Sequence, residues 1–250
     1  MSGLTRKAIG YAGATVVLLA AWWLLALLVN SPALPGPVVA LATLFASWGG
    51  IWPHILLSAA RVLAAMAIGT LLAVPLGLLL GRSPRADAVA APLIFLTYPI
   101  PKVVFLPVLF VLLGIENTPK VALIALIVFF QILVTARDAA KAVPEGSILS
   151  VRSLGASRFD VYRHVVVPAS LPDIFTALRI GTGTAIAVLF LAETIAGHDG
   201  IGWYIGDAWG RIAYPSMFAG ILGMALLGVV LYEALDALDA WATRWRRVAQ

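Results

Sequence analysis

The run Ala8–Val29 contains 22 residues and no charged side chain, and it is the first of several such runs in this chain. At 1.5 Å per residue, about 20 apolar residues cross the hydrocarbon of a bilayer. In that solvent the backbone must bond to itself, so long apolar runs commit the chain to helices. A secretory leader has an apolar stretch of only about 7–15 residues, so Ala8–Val29 reads as a retained span. Further runs cover Val62–Gly81, Ala88–Ile115, Val121–Ala136, Ile174–Ala192 and Ile212–Tyr232. The third is interrupted by Pro99, Pro101, Lys102 and Pro107, and the fifth carries Arg179 near its start. The expected fold is all-α, a polytopic membrane protein with about six transmembrane helices. It forms one membrane domain over residues 1–250 with a long inner loop at about 137–172.

Basic residues orient the spans. With the N-terminus inside, twelve fall on inner segments: Arg6, Lys7, Arg82, Arg85, Arg137, Lys141, Arg152, Arg158, Arg163, Arg244, Arg246 and Arg247. Only Lys120 and Arg211 fall outside, while Arg61, Lys102 and Arg179 belong to spans or their ends. This positive-inside bias puts both termini and the long loop in the cytoplasm. The net charge of +5 therefore follows topology and is no sign of nucleic-acid binding. Trp48, Trp52, Trp203 and Trp209 fall near the outer interface, and Trp241 and Trp245 near the inner one. Between the first two spans, Pro37–Trp48 has the length of an amphipathic segment lying on the outer surface.

The inner loop is patterned. Leu149, Val151 and Leu154 suggest one side of a short helix, and Gly155 permits a bend that a side chain resists. Ser157 is placed to cap a second short helix, with Asp160 at its third position. Phe159 and Tyr162 share a face. Pro168 and Pro172 are expected to stop that helix and redirect the chain into the fifth span. Two readings stand: a compact helix–bend–helix lying at the inner membrane surface with an aromatic knob and an arginine fringe, or a solvated basic loop that only enforces topology.

The stretch SLGASRFDVYRHVVVPASLP (153–172) resembles the cytoplasmic loop signature of inner-membrane permeases of binding-protein-dependent ABC importers. That pattern is Glu-Ala-Ala, three residues, Gly, nine residues, Ile, one residue, Leu-Pro. Gly155 takes the glycine, Val165 the isoleucine and Val167-Pro168 the Leu-Pro, whereas Leu149-Ser150-Val151 replaces Glu-Ala-Ala and brings no acid. PIPKVVFLPVLFVLLGI (99–115), PASLPDIFTALRIGTGTA (168–185) and LAETIAGHDGIGWYI (191–205) are similar to the nitrate, sulfonate and taurine branch of the same family. The resemblance implies a permease homodimer, two cytoplasmic ATPase subunits that bind ATP and Mg, and an extracytoplasmic substrate-binding protein. It also implies that Gly155, Ala156, Ser157, Arg158, Phe159, Tyr162 and Pro168 couple the permease to the ATPase. The transported solute is expected to be a small anion of the sulfonate, taurine or nitrate kind. A pyrimidine vitamin precursor is the alternative within the branch.

Ionisable residues inside a span are costly and need an account. Lys102, beside Pro101 in the broken third run, either lines a translocation pathway or reaches an interface with its ammonium. The resemblance implies that Glu193, followed by Gly197, Gly200 and Gly202, belongs to an outer gate; a structural pair with Arg61 is the alternative. Thr182 and Thr184 either line the pathway or bond back to their own helix. Gly77 and Gly81 form a small-xxx-small pair that suits helix packing within the subunit. Glu233, Asp236 and Asp239 read as an inner polar face balanced by Arg244, Arg246 and Arg247. His54, His164 and His198 lack metal-ligand spacing, there is no cysteine, and no phosphate-binding G-x-x-x-x-G-K-[ST] occurs. No catalytic constellation or resident cofactor is expected. A secondary transporter driven by an ion gradient is the competing class, and it predicts an internal repeat and paired midplane charges.

Overall fold

A computed structural model describes residues 3–195 and 197–247. Among these the chain is helical and strand-free. In order, α1 is Gly3–Val29, α2 Pro37–Ala46, α3 Trp48–Arg82, α4 Pro84–Thr97, α5 Leu106–Leu113 and α6 Asn117–Ala142. The short α7 (Glu145–Ser153) and α8 (Arg158–Val161) follow, then α9 (Val167–Ile195), α10 (Ile201–Gly210) and α11 (Tyr214–Ala242). Five helices are long and apolar enough to cross a membrane. A sixth span arises if α4 and the segment Lys102–Leu113 are taken together, and these two pieces meet at a bend of 79°. The prolines of the third apolar run explain this break, because Pro99 and Pro101 donate no backbone hydrogen bond.

The centre of the molecule is the packing of α3, α6 and α9. The expected glycine pair belongs to a longer stripe on α3, with Gly69, Ala73, Gly77 and Gly81 at four-residue spacing and the first three buried. A Cβ on Gly77 would stand 2.7 Å from both the Ala136 Cβ and the Leu133 carbonyl of α6. Small residues let the two backbones approach, and dispersion between close-packed surfaces holds helices together where lipid removes the hydrophobic drive. Gly77 and Gly81 therefore pack within the subunit.

Two expectations about helix ends are overturned. The second span was expected from Val62, yet α3 begins 14 residues earlier at Trp48 and runs through Pro53. His54, Ser58 and Arg61 break the apolar run in sequence, but each finds a partner inside the fold, so the helix continues through them. Pro168 and Pro172 do not stop the helix that begins at Arg158. One turn of π-helix at Tyr162–Val166 precedes them, with the Val167 N–H bonding the Tyr162 carbonyl. The wider turn relieves the clash that a proline ring makes with the preceding turn. An apolar helical stretch of 38 residues results, from Arg158 to Ile195.

The peripheral pieces follow the sequence more closely. α2 buries Pro37, Ala40 and Leu44 and leaves Val38 and Phe45 exposed. α1 lies at the edge, where Trp22 stacks on Phe218 of α11 at 5.5 Å and donates to the Pro35 carbonyl at 3.1 Å. The Tyr11 hydroxyl donates to Glu233 at 2.9 Å.

Candidate functional site

Two regions stand out, one at each end of the helical stretch 158–195. At its start the chain forms an elbow. α7 ends at Ser153, and Gly155 takes a φ of +85°, a left-handed conformation that costs a glycine little. The Gly155 N–H bonds the Arg152 carbonyl at 2.9 Å. Ser157 then caps α8: its hydroxyl oxygen accepts from the Asp160 N–H at 3.2 Å, and the Asp160 carboxylate accepts the Ser157 N–H at 3.0 Å. This reciprocal capping box makes the bend stiff through bonds spanning three residues.

On this elbow Phe159 is 70% exposed and Leu154 87% exposed. Leu149 is also exposed, whereas Ile148, Val161 and Val166 point into the protein. The expected shared face of Leu149, Val151 and Leu154 is thus not the buried one, and Leu154 lies beyond the end of α7. Arg158 is exposed and Ala156 half-buried, and Pro168 is half-buried at the second residue of α9. Tyr162 differs from Phe159: it is half-buried and packs on the protein's own core. The elbow is tied to the membrane helices by Arg82, which bonds Glu145 at 2.7 Å. Arg137 pairs with Asp87 close by, and Lys141 lies 3.8 Å from the same carboxylate.

At the other end, Glu193 is fully buried. Its carboxylate accepts from Arg61 at 2.6 Å, from the Ser58 hydroxyl at 2.8 Å and from the Gly202 N–H at 2.8 Å. Arg61 also donates to Asn117 at 2.7 Å and to Asp199 at 2.5 Å. Lys120, 2% exposed, lies 3.6 Å from Asp199. Two cations thus face two anions. A buried charge without a partner is strongly unfavourable, so this neutral, hydrogen-bonded set is what lets Arg61, Lys120 and Glu193 be buried, with the half-exposed Asp199 at its edge. Burial pushes the Asp199 carboxyl up, but the Arg61 hydrogen bond and the charges of Arg61 and Lys120 outweigh it and hold it below its ordinary value.

Glycines make room for the cluster. Gly200 has a φ of +94°, and a Cβ there would run into the Glu193 carboxylate. A Cβ on Gly202 would stand 2.9 Å from the Glu193 Cβ. The first N–H groups of α10 point inward, Ile201 to the Ser58 hydroxyl at 2.9 Å and Gly202 to Glu193. The helix start adds its partial positive charge to the cations around the carboxylate. His54 receives the Gly200 N–H at 3.1 Å and lies against Trp203 and Tyr204. The cluster therefore joins α3, α6, α9 and α10.

Between these ends, Lys102 donates to the carbonyls of Thr97 at 3.0 Å and Tyr98 at 2.6 Å. Its ammonium also lies 4.6 Å from the Phe130 ring and 5.1 Å from the Tyr98 ring. The lysine thus satisfies carbonyls freed where α4 breaks, and its charge complements the negative end of that helix. Thr182 is buried and bonds the Leu178 carbonyl of its own helix at 2.8 Å. Thr184 is half-buried and receives Gln131 at 3.3 Å. Pro101 is exposed at the break. Lys102, Phe130, Gln131 and Thr184 form a run of contacts from the broken span across α6 to α9.

The acids of α11 find a cation that the sequence reading did not give them. Arg179 of α9 pairs with Asp239, and its guanidinium lies 3.7 Å from Asp236. The side chains of Arg246 and Arg247 lie outside the described ones.

A family model for the inner membrane component of binding-protein-dependent transport systems matches residues 73–244. The chain belongs to that family. Among its relatives is the taurine transport system permease protein of Escherichia coli K12, 33% identical, with 99% of this chain and 93% of the relative covered. The formylaminopyrimidine transport permease protein of Halalkalibacterium halodurans is 25% identical over 93% of this chain and 94% of its own. In fold, the permease is similar to a chain of the inward-facing MetNI methionine ABC transporter. That match has a TM-score of 0.64 at 20% identity and covers 78% of this chain and 98% of that one.

Several partners in this permease had no signal in the sequence reading. Ser58 and Asn117 are ordinary span-end residues until Glu193 and Arg61 approach them. Lys120 counted as an outer charge, and Asp199 was hidden between Gly197 and Gly200. Leu154 stands beside the signature glycine, where an apolar residue before a bend could have been read as a contact.

Proposed function

We propose that this permease imports a small anionic organic solute of the sulfonate or taurine kind, driven by ATP hydrolysis on partner subunits. The taurine permease relative that covers 99% of this chain supports the solute class. The formylaminopyrimidine relative supports a pyrimidine precursor as a second reading. In this proposal two copies pair in the inner membrane with both termini in the cytoplasm. Two ATPase subunits receive the elbows, and an extracytoplasmic binding protein delivers the solute.

The observation that carries the coupling is the helical continuity from Arg158 to Ile195. At about 1.5 Å per residue it is roughly 57 Å long and joins the elbow to the Glu193 cluster. The bare ring of Phe159, with Leu154, inserts into the ATPase; Gly155, Ala156, Ser157 and Arg158 shape that contact. Tyr162 and Pro168 root the elbow in the permease. Closure of the ATPase pair then moves the elbow as one piece, and α9 carries the movement outward. Pro101, Lys102 and Thr184 line the path where the third span breaks, with Gln131 beside them. Thr182 and Glu193 support it from within the frame.

The test is ATPase activity of the reconstituted complex of permease, ATPase and binding protein, screened with taurine, alkanesulfonates, nitrate and pyrimidines. Stimulation by a sulfonate is expected. Stimulation only by a pyrimidine would move the solute class to the second reading. Stimulation by none, with the complex intact, would overturn both.

A further inference from the structure

Four arginines, Arg82, Arg85, Arg152 and Arg158, converge on one cleft of about 580 Å³ between the α3–α4 turn and the elbow. No carboxylate lines it. The nearby Glu145 is bonded to Arg82, and Asp160 is engaged by Ser157. Arg85, Arg152 and Arg158 line the cleft and are exposed, not sunk in the core. The cleft also holds the start of α4, where Ser83 caps the helix and accepts from the Ala86 N–H at 3.4 Å. A helix start favours an anion, and guanidinium forks match phosphate oxygens. Arg82 is paired with Glu145, whereas Arg85, Arg152 and Arg158 make no ion pair among the described residues; three like charges so gathered are mutually unfavourable, and the arrangement calls for an anion.

The walls give the rest of the ligand's chemistry. Leu79, Ile148, Val161 and Val166 supply an apolar floor. From Leu79 an exposed strip continues along one face of α3 through Leu76 and Leu72, at spacings of three and four residues. That strip runs about 10 Å into the span. A charged mouth joined to an apolar track fits an amphiphile with a phosphate head and acyl tails, and fits neither half alone as well.

We infer that this cleft binds the headgroup phosphate of an anionic phospholipid of the cytoplasmic leaflet, with an acyl chain along Leu72, Leu76 and Leu79. The inference rests on the reading above only in placing the elbow at the inner membrane surface. Basic pockets between membrane helices on that side are suited to anionic headgroups. The bound lipid bridges the α3–α4 turn and the elbow, so it stiffens the joint through which the proposed coupling passes.

The test is native mass spectrometry of the purified full-length permease in neutral detergent, with phosphatidylglycerol or phosphatidylcholine added. Wild type is expected to retain phosphatidylglycerol in preference to phosphatidylcholine. The pair Arg85→Gln/Arg152→Gln is expected to lower that retention by about tenfold or more, since two guanidinium partners of the headgroup phosphate are lost. Arg85→Lys/Arg152→Lys, which keeps the charge, should retain most of it, and Arg211→Gln at the other end should change nothing. Equal retention of the two lipids by wild type would overturn the proposal. So would displacement of phosphatidylglycerol by inorganic phosphate, which would make this a site for a soluble anion. Displacement by the cognate ATPase subunit would instead give the cleft to that partner, and would also overturn it. Because lipid retention is read on the permease alone, its failure is distinct from failure of ATP-driven import.

Discussion

Glu193 and Phe159 lie 34 residues apart on one helical stretch and meet opposite surroundings. Glu193 is fully buried, and its carboxylate accepts bonds from Arg61, Ser58 and the start of α10. Phe159 is held in place by a capping box but leaves its ring 70% exposed. The Glu193 end is complete within one chain, because charge in a low-dielectric interior must be neutralised on the spot. The elbow end is complete in its hydrogen bonds and leaves apolar surface exposed. Under the proposed function that surface is covered by the ATPase. Damage at the Glu193 end should then appear as lost stability, and damage at the elbow as lost assembly.

The largest effect tests the Glu193 end. Arg61→Met leaves Glu193 buried without its main cation and should cost about 3–5 kcal/mol, read from unfolding of the purified permease. Adding Glu193→Gln should recover part of that loss. If Arg61→Met costs less than about 1 kcal/mol, the Glu193 cluster is no lock and the contrast with the elbow collapses. Gly200→Ala combines a left-handed backbone with a Cβ driven into the carboxylate, and should cost at least about 1 kcal/mol in the same assay.

Acid sharpens the comparison further. The Asp199 carboxyl is held below its ordinary value in the folded protein, so its contribution is fully present above the unfolded value of about 3.9. That contribution is lost as the pH falls through the folded value. Stability measured between neutral and acid pH should fall at the low end, and Asp199→Asn should flatten that limb. An unchanged acid limb in the variant would remove Asp199 from the lock.

The smallest stability effects belong to the elbow. Ser157→Ala removes the cap of α8 and should cost about 1 kcal/mol. Phe159→Ala should change stability by no more than about 0.5 kcal/mol, as for other exposed positions. The same substitution should abolish most solute-stimulated ATPase activity of the reconstituted complex. Phe159 is the clean probe here, because Tyr162 packs on the permease core and its truncation would mix coupling with folding. Unchanged stimulation in Phe159→Ala would mean that the exposed ring is not the contact.

What could be read from the residues in order was local or collective. The apolar runs announced the spans, the prolines announced the broken third helix, and Ser157 with Asp160 announced a cap that the structure contains. Gly155 was legible as a bend because only a few backbone conformations suit the turn it makes. The pairing of Arg61 with Glu193 was legible as chemistry, since two opposite charges near one membrane face need partners. The prolines at 168 and 172 misled, because a π-turn just before Pro168 keeps the helix going and Pro172 is held inside α9. His54, Ser58 and Arg61 misled in the same way, by looking like a helix boundary while supplying the inside of a cluster.

The sequence by itself determined that the chain lies in a membrane, that it is helical, and where it bends at the elbow. Those features depend on the solvent each segment requires and on bonds spanning a few residues. Only the tertiary structure decided that Ser58, Asn117 and the start of α10 join the Arg61–Glu193 pair, that Asp199 and Lys120 complete the charge balance, and that four arginines line one cleft. Such contacts depend on how α3, α6 and α9 cross, and small residues along α3 set that crossing by letting the backbones approach.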